Sequence, residues 1–120
     1  MKRILALSLL FTAGLALAAT TKRDSVVEVT ATETATATTL AGTQTVWNLV
    51  TIHNHGSVRV GICLVSNDDT CAAMTNYTTR KLEIPAGATL EIRKENVTQI
   101  KHATESATAA LVIERAKETH

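Results

Sequence analysis

From Gln44 to Ile113, apolar side chains fall on every second residue, and the runs stop roughly every ten residues at a turn signal. In the first run Val46, Asn48, Val50 and Ile52 share one side, and Trp47, Leu49, Thr51 and His53 share the other. Val58, Val60, Ile62 and Leu64 alternate next, followed by Leu82 with Ile84, Leu90 with Ile92, and Ala109 with Leu111 and Ile113. Successive side chains of an extended chain point to opposite faces, so a period of two describes strands with one face turned to a core. Thr, Val and Ile, which suit a pleated and half-buried surface, dominate the stretch. The β-branched residues between Ile92 and Ser106 argue against more than one helical turn there. Six or seven short strands at this spacing predict an all-β chain, an antiparallel β-sandwich of the Ig-like or jelly-roll-like kind.

The turn residues divide the chain further. Asn54-His55-Gly56-Ser57 predicts a tight connection with Gly56 free to take positive φ, which would make a hairpin of the strands on either side. Ser66-Asn67-Asp68-Asp69-Thr70 is a turn cluster, residues 72–80 are a polar connection, and Pro85-Ala86-Gly87 is a turn with a stiff first and a permissive third residue. Val97 to His102 is a further candidate strand, and Ala107 to Glu114 the last. The sandwich is therefore expected over residues 44–114, with 115–120 as a charged tail. Residues 19–43 form a polar, Thr/Ala-rich segment: frayed over 19–25, then extended from Val26, Val27 and Val29. Its Ala/Thr alternation reads either as an edge strand passing into a loop or as a disordered Thr-rich stalk.

Ahead of this lies Met1-Lys2-Arg3, an apolar run of about 15 residues from Ile4 to Ala18, and a close on Ala16-Leu17-Ala18. A basic end, a short apolar centre and a small-x-small exit describe a secretory signal peptide over residues 1–18, cut after Ala18 with Ala16 and Ala18 as the small residues read. The run falls short of the roughly 20 residues that cross a bilayer comfortably, which disfavours the alternative of a retained anchor. Cleavage predicts a periplasmic or extracellular chain with no membrane contact afterwards.

Without Lys2 and Arg3, ten basic side chains face eleven acidic ones. A near-neutral chain with no basic block lacks an electrostatic footprint for nucleic acid. Only Trp47 and Tyr77 remain as aromatics, too few for a carbohydrate platform. Cys63 and Cys71, in an exported chain, predict a disulfide around the turn cluster rather than a catalytic pair, since the spacing is not Cys-x-x-Cys. Closing so short a loop should stabilise the fold by about 2–3 kcal/mol.

Candidate chemistry is sparse. His53 and His55, at i and i+2, would share one face of a strand and could hold a metal, with His102 a further ligand only if the fold brings it near. No phosphate-cradling Gly loop and no Gly-x-Ser-x-Gly turn is present, and Glu83 and Glu91 fall at outward strand positions. No cofactor and no catalysis are expected.

Three pieces carry a family likeness: Val50-Thr51-Ile52-His53-Asn54-His55-Gly56 running into Val58-Arg59-Val60-Gly61-Ile62; Ile84-Pro85-Ala86-Gly87-Ala88-Thr89-Leu90-Glu91-Ile92; and Thr108-Ala109-Ala110-Leu111-Val112-Ile113-Glu114. In this order of elements, residues 44–114 resemble small β-sandwich structural and decoration proteins of tailed bacteriophages and prophages. The resemblance implies a virion-associated structural role without catalysis. The chain thus reads as an exported structural or protein-binding module that meets partners or copies of itself through sheet faces and edges, with a periplasmic ligand- or metal-binding module using His53 and His55 as the alternative.

Overall fold

A computed structural model describes residues 20–40 and 47–119. The predicted signal peptide and its cleavage site lie outside them, as do Gln44 to Val46 at the start of the first alternating run. The described chain is all-β apart from one 3-10 turn, Tyr77–Thr79. Its eight strands are β1 (Thr20–Ala31), β2 (Thr36–Thr39), β3 (Trp47–Asn54), β4 (Val60–Val65), β5 (Leu82–Ile84), β6 (Thr89–Glu95), β7 (Gln99–Thr104) and β8 (Ala109–Thr119).

They form two four-stranded antiparallel sheets, sheet A in the order β1-β8-β3-β6 and sheet B in the order β2-β7-β4-β5. The pairing is nested. β4 pairs with β5, β3 with β6, β2 with β7 and β1 with β8, as in one long hairpin. Rolling that hairpin up brings β3 against β8 and β4 against β7, which completes both sheets. This is the jelly roll, one of the two sandwich types the alternation predicts.

Inward side chains of both sheets make a single core. Val50 and Ile52 of β3 and Leu111 and Ile113 of β8 face Val60 and Ile62 of β4, Ile84 of β5 and Ile100 of β7, all buried. The predicted faces of β3 hold: Asn48, Val50 and Ile52 are buried, while Trp47 is exposed and Leu49, Thr51 and His53 are half-buried.

The structure corrects four expectations. First, β3 and β4 are not a hairpin, because they belong to different sheets and the segment between them crosses from one layer to the other. Asn54 fixes the crossing. Buried at the end of β3, its Nδ2 donates to the carbonyls of Val58, Ile84 and Pro85, and its Oδ1 accepts from the Gly56 amide. Second, Gly56 serves by smallness and not by positive φ. A Cβ there would sit 2.5 Å from the Ala109 Cβ, whereas the glycine at positive φ is Gly87, at 73° in the predicted Pro85-Ala86-Gly87 turn.

Third, 115–120 is not a tail, because β8 runs to Thr119 and Arg115 is fully buried with Nη1 donating to the Val97 carbonyl at 2.8 Å. A charged residue can be taken out of water when its donors meet acceptors, and the acceptor here comes from the distant β6–β7 connection. Fourth, the sandwich begins well before residue 44. β1 pairs along its whole length with β8 and β2 with β7, and Ala31 and Leu40 are buried. The segment expected to fray over 19–25 contributes Thr20 to Ser25 to β1.

Candidate functional site

The outward faces of the two sheets differ, and the difference locates the site. On sheet B, the chain between β4 and β5 folds back over the strands. Cys63 and Cys71 are joined, with Cα atoms 5.9 Å apart, and together with Met74 and Ala103 they make a second buried cluster against Ala35 and Val65. Asp69 holds the bend by accepting from the Cys71 amide at 2.8 Å, and Lys101 Nζ donates to the Cys71 carbonyl at 3.0 Å. Farther along, the Arg80 guanidinium lies 4.1 Å over the Tyr77 ring, and the Tyr77 hydroxyl donates to Glu83. Gly61 makes room beneath them, since a Cβ there would come within 2.7 Å of the Arg80 Cβ. The continuous apolar run Val60-Gly61-Ile62-Cys63-Leu64-Val65 anticipates a strand covered on both faces.

On sheet A no described segment lies over the outward face. Register places side chains in rows across the strands. One row runs Val26, Glu114, Thr51, Glu91, and the next Glu28, Val112, His53, Thr89. His53 is held on both ring nitrogens, Nδ1 by Thr89 Oγ1 at 2.9 Å and Nε2 by Glu114 Oε2 at 2.8 Å. The His55 ring stacks beside it, with centroids 6.0 Å apart. His55 also borders an open depression of about 400 Å³ together with Glu28, Thr30, Ala110 and Val112. Val26 and Trp47, exposed by 52% and 47%, are the large apolar side chains most open to water among the described residues.

The two histidines singled out in the sequence therefore do come together, and the carboxylates beside them arrive from β8 and β1. Period-two alternation already puts Glu28 and Glu114 at outward positions. Their approach to His53 and His55 depends on strand order, which alternation does not encode. His102 does not join them. It lies inside the sandwich on sheet B, with Nε2 2.7 Å from Thr38 Oγ1 and Nδ1 meeting no hydrogen-bond partner. Burial holds its pKa below the ordinary imidazole value, and a contact with its own peptide group offsets this in part.

Among the described residues, Cys63, Asp69 and Cys71 form the one group of three metal-capable side chains with donor atoms within 4.8 Å of one another. Its two sulfur atoms are bonded to each other, which leaves a single carboxylate as a ligand.

No protein-family model matches the chain, and no curated protein matches it. Among solved structures, a chain from Bacillus endospore appendages, described as a novel family of disulfide-linked pili, superposes with a TM-score of 0.52. It is 13% identical, over 86% of this chain and 92% of that one. Two looser superpositions are with the capsid of Helicobacter pylori bacteriophage KHP30 and with the core of the Drosophila protein NLP, described in terms of pentamer formation and histone binding. The capsid chain is 8% identical over 83% of this chain and 93% of its own, at a TM-score of 0.40. The Drosophila chain is 10% identical over 81% and 100%, at 0.39. What this chain shares with the Bacillus protein is the fold.

Proposed function

We propose that this chain is an exported, non-catalytic structural module that assembles with other protein through sheet A. The observation that carries the reading is the asymmetry of the sandwich. Sheet B is sealed by its own connection, whereas sheet A presents a long open edge strand and an outward face on which Val26 and Trp47 stand in water. A sheet that ends in a long strand unpaired on one side, and has no described segment over its outward face, leaves backbone groups and surface open to another protein. The Cys63–Cys71 bridge fits the oxidising compartment to which the predicted signal peptide would deliver the chain, and no helix among the described residues is long and apolar enough to cross a membrane. The fold shared with a pilus protein agrees with assembly. The turn likeness to phage sandwich proteins adds the virion surface as one location for it.

Light scattering on the mature chain, paired with a pull-down, tests this reading. Self-association or capture of a defined structural partner is expected. A strict monomer at high concentration that captures nothing overturns it. N-terminal sequencing of the secreted product checks cleavage after Ala18.

The stacked rings of His53 and His55 beside the depression favour a second reading, a ligand- or metal-binding module. Zinc or copper titration by calorimetry decides it: heat that disappears in the His53→Ala/His55→Ala variant supports a site there, and heat unchanged by it removes the site.

A further inference from the structure

Among the described residues, one buried side-chain nitrogen or oxygen meets no hydrogen-bond partner, and it is Nδ1 of His102. The residue is 1% exposed and stands on the inward side of β7, opposite Ile62 of β4 and Thr36 of β2. A neutral ring is tolerated there, because the Thr38 hydroxyl, 2.7 Å from Nε2, can serve it as donor or as acceptor. An imidazolium is not. Both of its nitrogens donate, and its own peptide group gives only partial relief. No described carboxylate faces it. The described inward side chains of β1, β2, β4 and β7 are otherwise apolar or hydroxyl-bearing, and the charged ones at inward positions elsewhere, Lys94 of β6 and Arg115 of β8, are cations. Lys101, Tyr77 and Glu83 lie on the outward face of sheet B.

Of the strands beside the ring, β2 is the one that can yield. It is four residues long, mostly exposed, and pairs only with β7. Beyond that ladder, its described side-chain ties to the rest of the protein are Thr38 to His102 and Gln99 to Thr39, the latter at 3.3 Å. Its flanks are fixed: the Ala35 amide donates to the Thr75 carbonyl, and the amide of buried Leu40 donates to the Thr98 carbonyl at 2.9 Å. On the other side of β7, β4 is buried from Val60 to Leu64, pairs with both β5 and β7, and is stapled through Cys63.

We propose that β2 is an acid-released flap: protonation of His102 lifts Thr36–Thr39 off β7, lets water reach the ring and bares the β7 edge from Gln99 to His102. Such a local opening gives up one short ladder and leaves the apolar core in place. Linkage sets its response. Burial keeps the proton off the closed form, whereas in the open form the hydrated ring titrates near the ordinary ~6.5. As pH falls below that value, the open form takes a proton that the closed form refuses. The opening constant then rises about tenfold per pH unit, until the lowered pKa of the closed form is reached. Above that window the flap stays shut. Within it, sheet B, sealed on its outward face, gains an unpaired strand edge.

Native-state amide exchange on the full mature chain, followed residue by residue by NMR from about pH 7.5 down to about pH 5, tests this. With the intrinsic pH dependence of exchange removed, the paired amides of β2 and of Gln99 to His102 should lose protection about tenfold per pH unit below ~6.5, while those of β3, β4 and β8 hold theirs. In His102→Gln, checked for fold by circular dichroism, the loss should vanish. Thr38→Val keeps the titrating ring and removes its latch, so β2 amides should exchange faster already at about pH 7.5, with the same slope below ~6.5. Three results overturn the flap: β2 protection that stays level as pH falls, protection lost equally across both sheets, and a slope that survives in His102→Gln. Thr38→Val protection equal to that of the unaltered chain overturns the latch on which the flap depends.

Discussion

The two outer faces of this sandwich are built from similar strands and end in opposite states. On sheet B, the outward positions Gly61, Cys63, Val65 and Ala103 are small or apolar, and the β4–β5 connection packs on them and is stapled by Cys63–Cys71. On sheet A, the equivalent positions mix Glu28, Glu91, His53 and Glu114 with Val26 and Trp47, and no described segment lies over them. What separates the faces is whether the chain supplies its own cover. A face of small apolar residues beside a long connection is sealed within the molecule. A face of charges and isolated large apolar side chains is left for contact with something else.

That contrast can be broken from the sealed side first. Met74 is fully buried beneath the cover, so Met74→Ala should cost about 2–5 kcal/mol in chemical denaturation. A cost under 1 kcal/mol would mean the cover adds little. Cys63→Ala/Cys71→Ala should cost about 2–3 kcal/mol and expose residues 66–81 to limited proteolysis, while β1 to β3 stay protected.

Next comes pH. Because burial holds His102 below its ordinary value near ~6.5, the unfolded chain takes up a proton before the folded one as pH falls. Stability should therefore be full above that value and be lost as pH drops from it toward the lowered folded pKa. Thermal melts at stepped pH read this directly, and in His102→Gln the dependence in this window should flatten. A slope unchanged by that substitution assigns it elsewhere.

The smallest effect belongs to the bare face. The His53–Glu114 pair is partly open to water, so Glu114→Gln should change stability by no more than about 0.5 kcal/mol. A loss of several kcal/mol would show that sheet A's face is a structural layer too, and the comparison would collapse.

Much of this architecture was legible in the alternation. It marks β3, β4, β5, β6 and β8, and Pro85-Ala86-Gly87 marks the turn before β6 with Gly87 at the permissive φ. Cys63 and Cys71, flanking a turn cluster in a chain with a signal-like start, marked the bridge. What escaped depends on contacts between remote residues. β2 lies in the Ala/Thr stretch and buries too little for a period to stand out. Arg115 reads as solvent-facing until the Val97 carbonyl is brought to it. Asn54-His55-Gly56-Ser57 has the chemistry of a hairpin turn, yet Asn54 uses that chemistry to grip carbonyls on the opposite layer. The nearness of Glu114 and Glu28 to the two histidines is a product of strand order, which local pattern leaves open.

The nested pairing also sets a timetable. β4 and β5 lie close in sequence, whereas β1 and β8 are the first and last strands of the described chain. Closing a larger loop costs more entropy, so loop entropy favours pairing that proceeds outward from β4–β5 and ends with β1–β8. A ribosome delivers β1 first and its partner last. Throughout that interval both edges of β1 are unpaired, and the longest strand of the sandwich is also the one that waits longest for its partner.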